Sequence, residues 1–207
     1  MPGWIYVSST KFLNTILALA GMIPLGRLVY LGYQDALTAN PIEYITRFTG
    51  TWALIFLCLT LSVTPMRKLT GFSRLLKFRR TLGLLVFFYA TLHALIWIWL
   101  DQNFDSDAMV ADILKRPFIT MGVTSFILLC PLAITSNQRS INVLKRRWSQ
   151  IHALIYFIAI TVILHYWWHK SGKNDYAQVS VYAIIVSILL GYRVFAYRLK
   201  RASCVTP

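Results

Sequence analysis

The chain has 207 residues, 57% of them hydrophobic, with a mean hydropathy of +0.58 and a formal net charge of +14. That is too apolar for a soluble domain of this size. The basic excess lies in short segments between apolar runs, so it calls for a membrane rather than a nucleic-acid partner.

A hydrocarbon core of about 30 Å takes about 20 apolar residues per helix. The first such run, 12–31, contains Gly21, Pro24 and Gly26, which predict a kink or a break. It reads as a span rather than a removable leader, because no small-x-small site ends it. A loop with Asp35, Glu43, Arg47 and the turn signal Asn40-Pro41 follows. Span two, 48–64, stops at Pro65 and is followed by Arg67, Lys68, Arg74, Lys77, Arg79 and Arg80. Span three, 81–100, carries His93. The next loop holds Asp101, Asp105, Asp107, Asp112, Lys115 and Arg116, with a short surface helix in its middle. Span four, 118–135, has Pro131 near its end and leads to Arg139, Lys145, Arg146 and Arg147. Span five, 148–168, carries His152 and His165, and a loop with Lys170, Lys173 and Asp175 around Gly172 follows. Span six, 177–196, runs into a tail with Arg193, Arg198, Lys200 and Arg201. No internal repeat or low-complexity tract is legible. Cys58, Cys130 and Cys204 suit neither a disulfide framework nor a metal motif; the two inside spans read as small buried hydrophobes.

The charges sort by loop. All seven acids fall in the first, third and fifth loops, while the second and fourth loops and the tail are basic and acid-free. The expected protein is therefore all-α and integral to the membrane: one six-helix bundle over 1–207, with both termini cytoplasmic in a bacterial inner membrane or its equivalent.

An ionisable side chain inside a span is costly, so His93, His152 and His165 are the candidate functional residues. Interhelical hydrogen bonding, proton relay, metal binding and haem ligation are all open to a single such histidine. Three of them on two spans, with no carboxylate in mid-membrane, favour bis-histidyl haem, which needs only neutral imidazoles on facing helices. From the basic end of each span, helix rise sets His93 about 18 Å deep, His165 about 25 Å and His152 about 6 Å. The predicted ligand pair is therefore His93 and His165. His152 marks an inner position near Arg79, Arg80, Arg146 and Arg147, which suit haem propionates or a flavin phosphate. The inner position lacks a second histidine on span three. The turn between His152 and His165 puts them on different faces of an ideal helix. His169 belongs with Trp167 and Trp168 to an interfacial aromatic belt, or serves as a substitute ligand or outer proton donor. No nucleotide fingerprint is present, so electrons come from a quinone, a flavin or a separate reductase.

The segments RFTG–TWAL, TLSVTPMRKL, FRRTLGLLVFFYATLHAL, KRPFITMG, PLAITSNQ and LKRRWSQIHALIYFIAITVILHYWW resemble, in order and spacing, the MsrQ family. These are the haem-binding membrane subunits of the bacterial periplasmic methionine sulfoxide reductase system, within the ferric-reductase-like transmembrane group. The resemblance runs from about Thr10 to Arg198. It implies haem b and FMN as cofactors. It implies electron transfer from a quinol or a cytosolic flavin reductase to the periplasmic molybdopterin enzyme MsrP, which repairs methionine sulfoxide. The family's histidines map onto His93, His152 and His165. The wider group carries two histidines on its third span, where this chain has His93 alone. Two other readings stand beside this one: a stand-alone ferric-chelate reductase, and a histidine-relay transporter whose first span is a broken helix.

Overall fold

The computed structural model describes the backbone of residues 3–172 and 174–203, and the side chains of 11–172, 174–199 and 201. Lys173, Cys204 and the side chain of Lys200 lie outside the described residues. Among the described residues eight α-helices follow one another: α1 (Gly3–Tyr33), α2 (Pro41–Thr70), α3 (Phe78–Ile96), α4 (Ser106–Lys115), α5 (Pro117–Ile134), α6 (Gln138–Leu144), α7 (Arg146–Ser171) and α8 (Ala177–Ser203). Six segments of the described residues are long and apolar enough to cross a membrane: Lys11–Tyr33, Pro41–Thr70, Ser73–Asp101, Pro117–Ile134, Arg146–Ser171 and Ala177–Leu199. The protein is a multi-pass, six-span helical membrane protein.

The bundle is built from two close antiparallel pairs, α2 with α3 and α5 with α7. Contact between α3 and α5 joins the pairs, α1 leans on α3, and α8 packs against α7 and α2. Leu57, Leu61, Tyr89 and Ile158 are among the most deeply buried residues, at the centre of one apolar cluster. The charged loops separate the two ends of the bundle into an acid-bearing rim and a basic rim.

Caps set the helix ends. Asn40 accepts from the Glu43 N–H and Pro41 occupies the first helical position of α2. Asp105 accepts from Asp107 and Ala108 at the start of α4, the short helix expected in the third loop. Lys145, at φ 47°, turns the chain between α6 and α7. Helix α6, in the basic fourth loop, was not legible beforehand; Asn137 caps it through the Ser140 N–H.

Two proline expectations change. Span two does not stop at Pro65: α2 continues to Thr70 and ends on Gly71 in the left-handed region, at φ 74°. Proline removes the N–H that would serve the carbonyl four residues back. Here that carbonyl, Leu61 C=O, instead accepts from Arg193 Nη2 of α8 at 2.6 Å. In α1 the helix runs unbroken through Gly21, Pro24 and Gly26. The disturbance is local: the Tyr89 hydroxyl donates to Gly21 C=O at 2.8 Å and accepts from the Leu25 N–H at 3.2 Å, standing inside one rung of the ladder. The transporter reading loses the broken helix it relied on.

Candidate cofactor site

His93 lies in the last turn of α3 and His165 near the end of α7, so the antiparallel pairs carry both toward the acid-bearing rim. Their ring centres are 6.0 Å apart and their planes cross at 84°. His93 Nδ1 donates to Thr46 C=O of α2 at 2.9 Å. His165 Nδ1 donates to Phe118 C=O of α5 at 2.6 Å. A carbonyl only accepts, so each ring carries its proton on Nδ1 and leaves the Nε2 lone pair to a ligand.

A glycine opens the way to each carbonyl. A Cβ on Gly50 would stand 3.1 Å from His93 Nδ1, and one on Gly122 would stand 2.8 Å from His165 Nδ1. The imidazole edges lie where side chains of α2 and α5 would otherwise be. Both glycines follow the accepting carbonyl by one helical turn. The histidine follows its carbonyl by 47 residues in each pair. One common offset therefore carries Thr46 to Phe118, Gly50 to Gly122 and His93 to His165. It also carries the buried Leu57 to Leu129, Val86 to Ile158 and Tyr89 to Thr161. The two helix pairs repeat one plan although the sequence shows no repeat, because the plan fixes positions and little side-chain identity. Thr46 and Phe118 act through backbone carbonyls, which sequence cannot flag; the equal glycine–histidine spacing was the available signal.

Two imidazoles that hold one metal ion from opposite sides, with metal–nitrogen bonds of about 2 Å, set their ring centres roughly 6 Å apart. The observed separation meets that requirement, and the two carbonyls supply the outer hydrogen bonds that fix tautomer and orientation. The donor set fits a group that takes two axial imidazoles.

His152 is not brought to another imidazole. It stands about 20 Å along α7 from His165. Its Nε2 is 3.1 Å from the Thr135 hydroxyl, and its ring stacks on Trp148 at 4.0 Å between centres. Trp148 donates from Nε1 to Thr135 C=O at 3.0 Å, completing a knot between α7 and the end of α5. Both His152 and His165 thus reach α5, at opposite ends, because the contact line between two crossing helices drifts around each of them. At the common offset, the residue matching His152 is Arg80. Arg80, Arg146 and Arg147 are exposed, whereas Arg79 is half-buried. Arg193 also turns inward, over the ring of Tyr156 at 5.3 Å. His169 lies at the rim with its ring 5.5 Å from that of Phe118. Among the described residues no cluster of three or more His, Cys, Asp or Glu could hold a bare metal ion.

The family model described as ferric reductase like transmembrane component matches residues 49–163. The matched stretch contains Gly50 and His93 of one pair, Phe118 and Gly122 of the other, and His152; it begins just after Thr46 and ends just before His165. Three relatives from Ralstonia nicotianae, Bordetella pertussis and Herminiimonas arsenicoxydans each carry the name protein-methionine-sulfoxide reductase heme-binding subunit MsrQ. They are 48%, 44% and 48% identical to this chain, over 94%, 92% and 92% of its length and 90%, 93% and 88% of theirs. The chain belongs to the MsrQ family.

Proposed function

We propose that this protein is the haem b-binding membrane subunit of a methionine sulfoxide reductase system, with His93 and His165 as the two axial ligands. The observation that carries the reading is the facing pair of imidazoles, 6.0 Å apart, each pinned through Nδ1 to a backbone carbonyl. A haem held this way supplies one-electron transfer through its iron. The chain's own part is to fix both rings, keep their protons on Nδ1 and surround them with apolar helix faces.

The basic rim is the cytoplasmic side and the acid-bearing rim the periplasmic one, in a bacterial inner membrane, on the loop charges. Both termini are then cytoplasmic, and the His93–His165 pair lies toward the periplasm. Electrons enter from a quinol or a cytosolic flavin reductase and leave to the periplasmic molybdopterin enzyme MsrP, where methionine sulfoxide is reduced. The inner position, with Arg79, His152 and Arg193, suits a phosphate-bearing group, and FMN is the cofactor assigned to it. His152 would then serve that position and not a second bis-histidyl haem.

The test is the spectrum of protein purified from haem-replete cells. The wild type is expected to give a low-spin Soret band that shifts on reduction with dithionite. Replacing His93 or His165 by Ala should remove the low-spin form, while His152→Ala should keep it and lower flavin content. A low-spin band that survives in both His93→Ala and His165→Ala would overturn the ligand assignment.

A further inference from the structure

Three buried nitrogens on residues next to the His93–His165 pair have no hydrogen-bond partner among the described residues: Nε and Nη2 of Arg47, whose side chain is 38% exposed elsewhere, and Nε1 of Trp97. Arg47 directly follows Thr46, whose carbonyl takes the His93 proton. Trp97 follows His93 by four residues, which places it one turn further toward the acid-bearing rim on the same face. It opens a π-helical turn, Trp97–Asp101, that closes α3 and packs against α2. Such turns are frequent at functional sites. Arg47 Nη2 lies 2.6 Å from Glu43 Oε1, at ion-pair distance but off the axis of a hydrogen bond.

A guanidinium edge and an indole N–H buried without acceptors are costly, and such groups in a native fold are served by something. What serves them must be an acceptor, reach both α2 and the end of α3, and lie against the imidazole pair. A carboxylate meets these conditions: it pairs with guanidinium through parallel N–H bonds and has lone pairs left for the indole.

We propose that Arg47 and Trp97 hold a carboxylate on the edge of the group ligated by His93 and His165, which in a haem b is a propionate. This rests on the haem reading above and adds the orientation: the carboxylate edge faces the acid-bearing rim. Arg47 then offsets the propionate charge and makes the iron easier to reduce. Trp97 fixes the same carboxylate from the α3 side. At the common offset the counterpart of Trp97 is His169, so α7 also places a nitrogen-bearing ring at that level.

The test uses full-length protein carrying Arg47→Met, Arg47→Lys or Trp97→Phe, loaded with haem or with haem dimethyl ester, whose propionates carry no charge. Haem loss to an acceptor protein and the midpoint potential are measured. Arg47→Met is expected to keep the low-spin band, shift the potential downward and lose haem about ten- to a hundredfold faster, the range for a charge-assisted hydrogen bond. Trp97→Phe should show a smaller change in the same direction, and Arg47→Lys should retain the potential better than Arg47→Met. The wild type should hold the ester as weakly as Arg47→Met holds haem, and Arg47→Met should no longer tell the two apart. If Arg47→Met and Trp97→Phe discriminate haem from its ester as well as the wild type does, the proposal is wrong. Should Arg47→Met fail to fold, the same comparison on Arg47→Lys and Trp97→Phe decides it. A wild type without any low-spin band would instead sink the haem reading, and the two failures are told apart by that spectrum.

Discussion

Gly122 and Gly50 set how closely the two histidines approach the backbone. The Cβ of an alanine would meet His165 Nδ1 at 2.8 Å but His93 Nδ1 at 3.1 Å. Gly122→Ala should therefore displace its imidazole more than Gly50→Ala, with overpacking costs of about 1–3 kcal/mol at the tighter site. Low-spin electron paramagnetic resonance signals and haem retention should rank wild type above Gly50→Ala above Gly122→Ala. Gly83→Ala, where nothing stands within 4 Å of the added atom, should leave both unchanged. Equal effects in all three variants would mean that the glycines matter only for helix packing. A second expectation concerns Asp175, in the connection between α7 and α8. Its carboxyl bonds to Lys170, and that hydrogen bond and charge hold it below the ordinary carboxylate value. The folded chain thus binds this proton less readily than the unfolded one. The stabilisation is present above the unfolded carboxylate value of about 3.9 and is lost as pH falls through the lower folded value. Melting temperature followed from pH 7 to pH 3 should fall more steeply in the wild type than in Asp175→Asn; parallel curves would remove the pair from the account.

At the level of elements, prolines and hydrogen-bond donors from neighbouring helices belong together. Pro65 leaves Leu61 C=O without its helical donor at a position only 1% exposed, and Arg193 of α8 supplies the replacement. Arg193→Met should cost about 1–3 kcal/mol, the penalty for a buried acceptor left unserved. Adding Pro65→Ala restores an N–H at residue 65 and should recover part of that loss, while giving less benefit in the wild-type background. Thermal denaturation of the four proteins in detergent checks the cycle, and simple additivity would refute the link. In α1 the neighbour acts on the adjacent rung: Pro24 lacks the N–H that would serve Ala20 C=O, and the Tyr89 hydroxyl stands in the next rung, donating to Gly21 C=O and accepting from Leu25 N–H. Read from sequence, Pro65 ended a helix and Pro24 broke one, since local rules count only the lost N–H. A donor that arrives from a helix far along the chain, 132 residues away for Arg193 and 68 for Tyr89, is outside what those rules see.

For the whole molecule, charge sorting predicts sidedness that fusions can read. A periplasmic phosphatase reporter should be active when fused after Asn103 and inactive after Asn142 or at either terminus; the opposite pattern would invert the proposed electron path. The six spans, the loop charges and the candidacy of His93, His152 and His165 follow from sequence alone. Apolar run length is dictated by bilayer thickness, loop charge by insertion, and a buried imidazole is conspicuous wherever it falls. Depth counted along a helix also put His93 and His165 at similar levels, because helical rise is nearly invariant. Tertiary structure alone decided the rest. It brought the two rings together with their planes nearly perpendicular, gave each a carbonyl and a glycine from another helix, and left His152 in a knot with Thr135 and Trp148. The azimuth of a side chain depends on how helices cross, and a backbone carbonyl carries no residue signature. The repeat of the two helix pairs stayed hidden for the same reason: packing constrains spacing and size, and many sequences satisfy both.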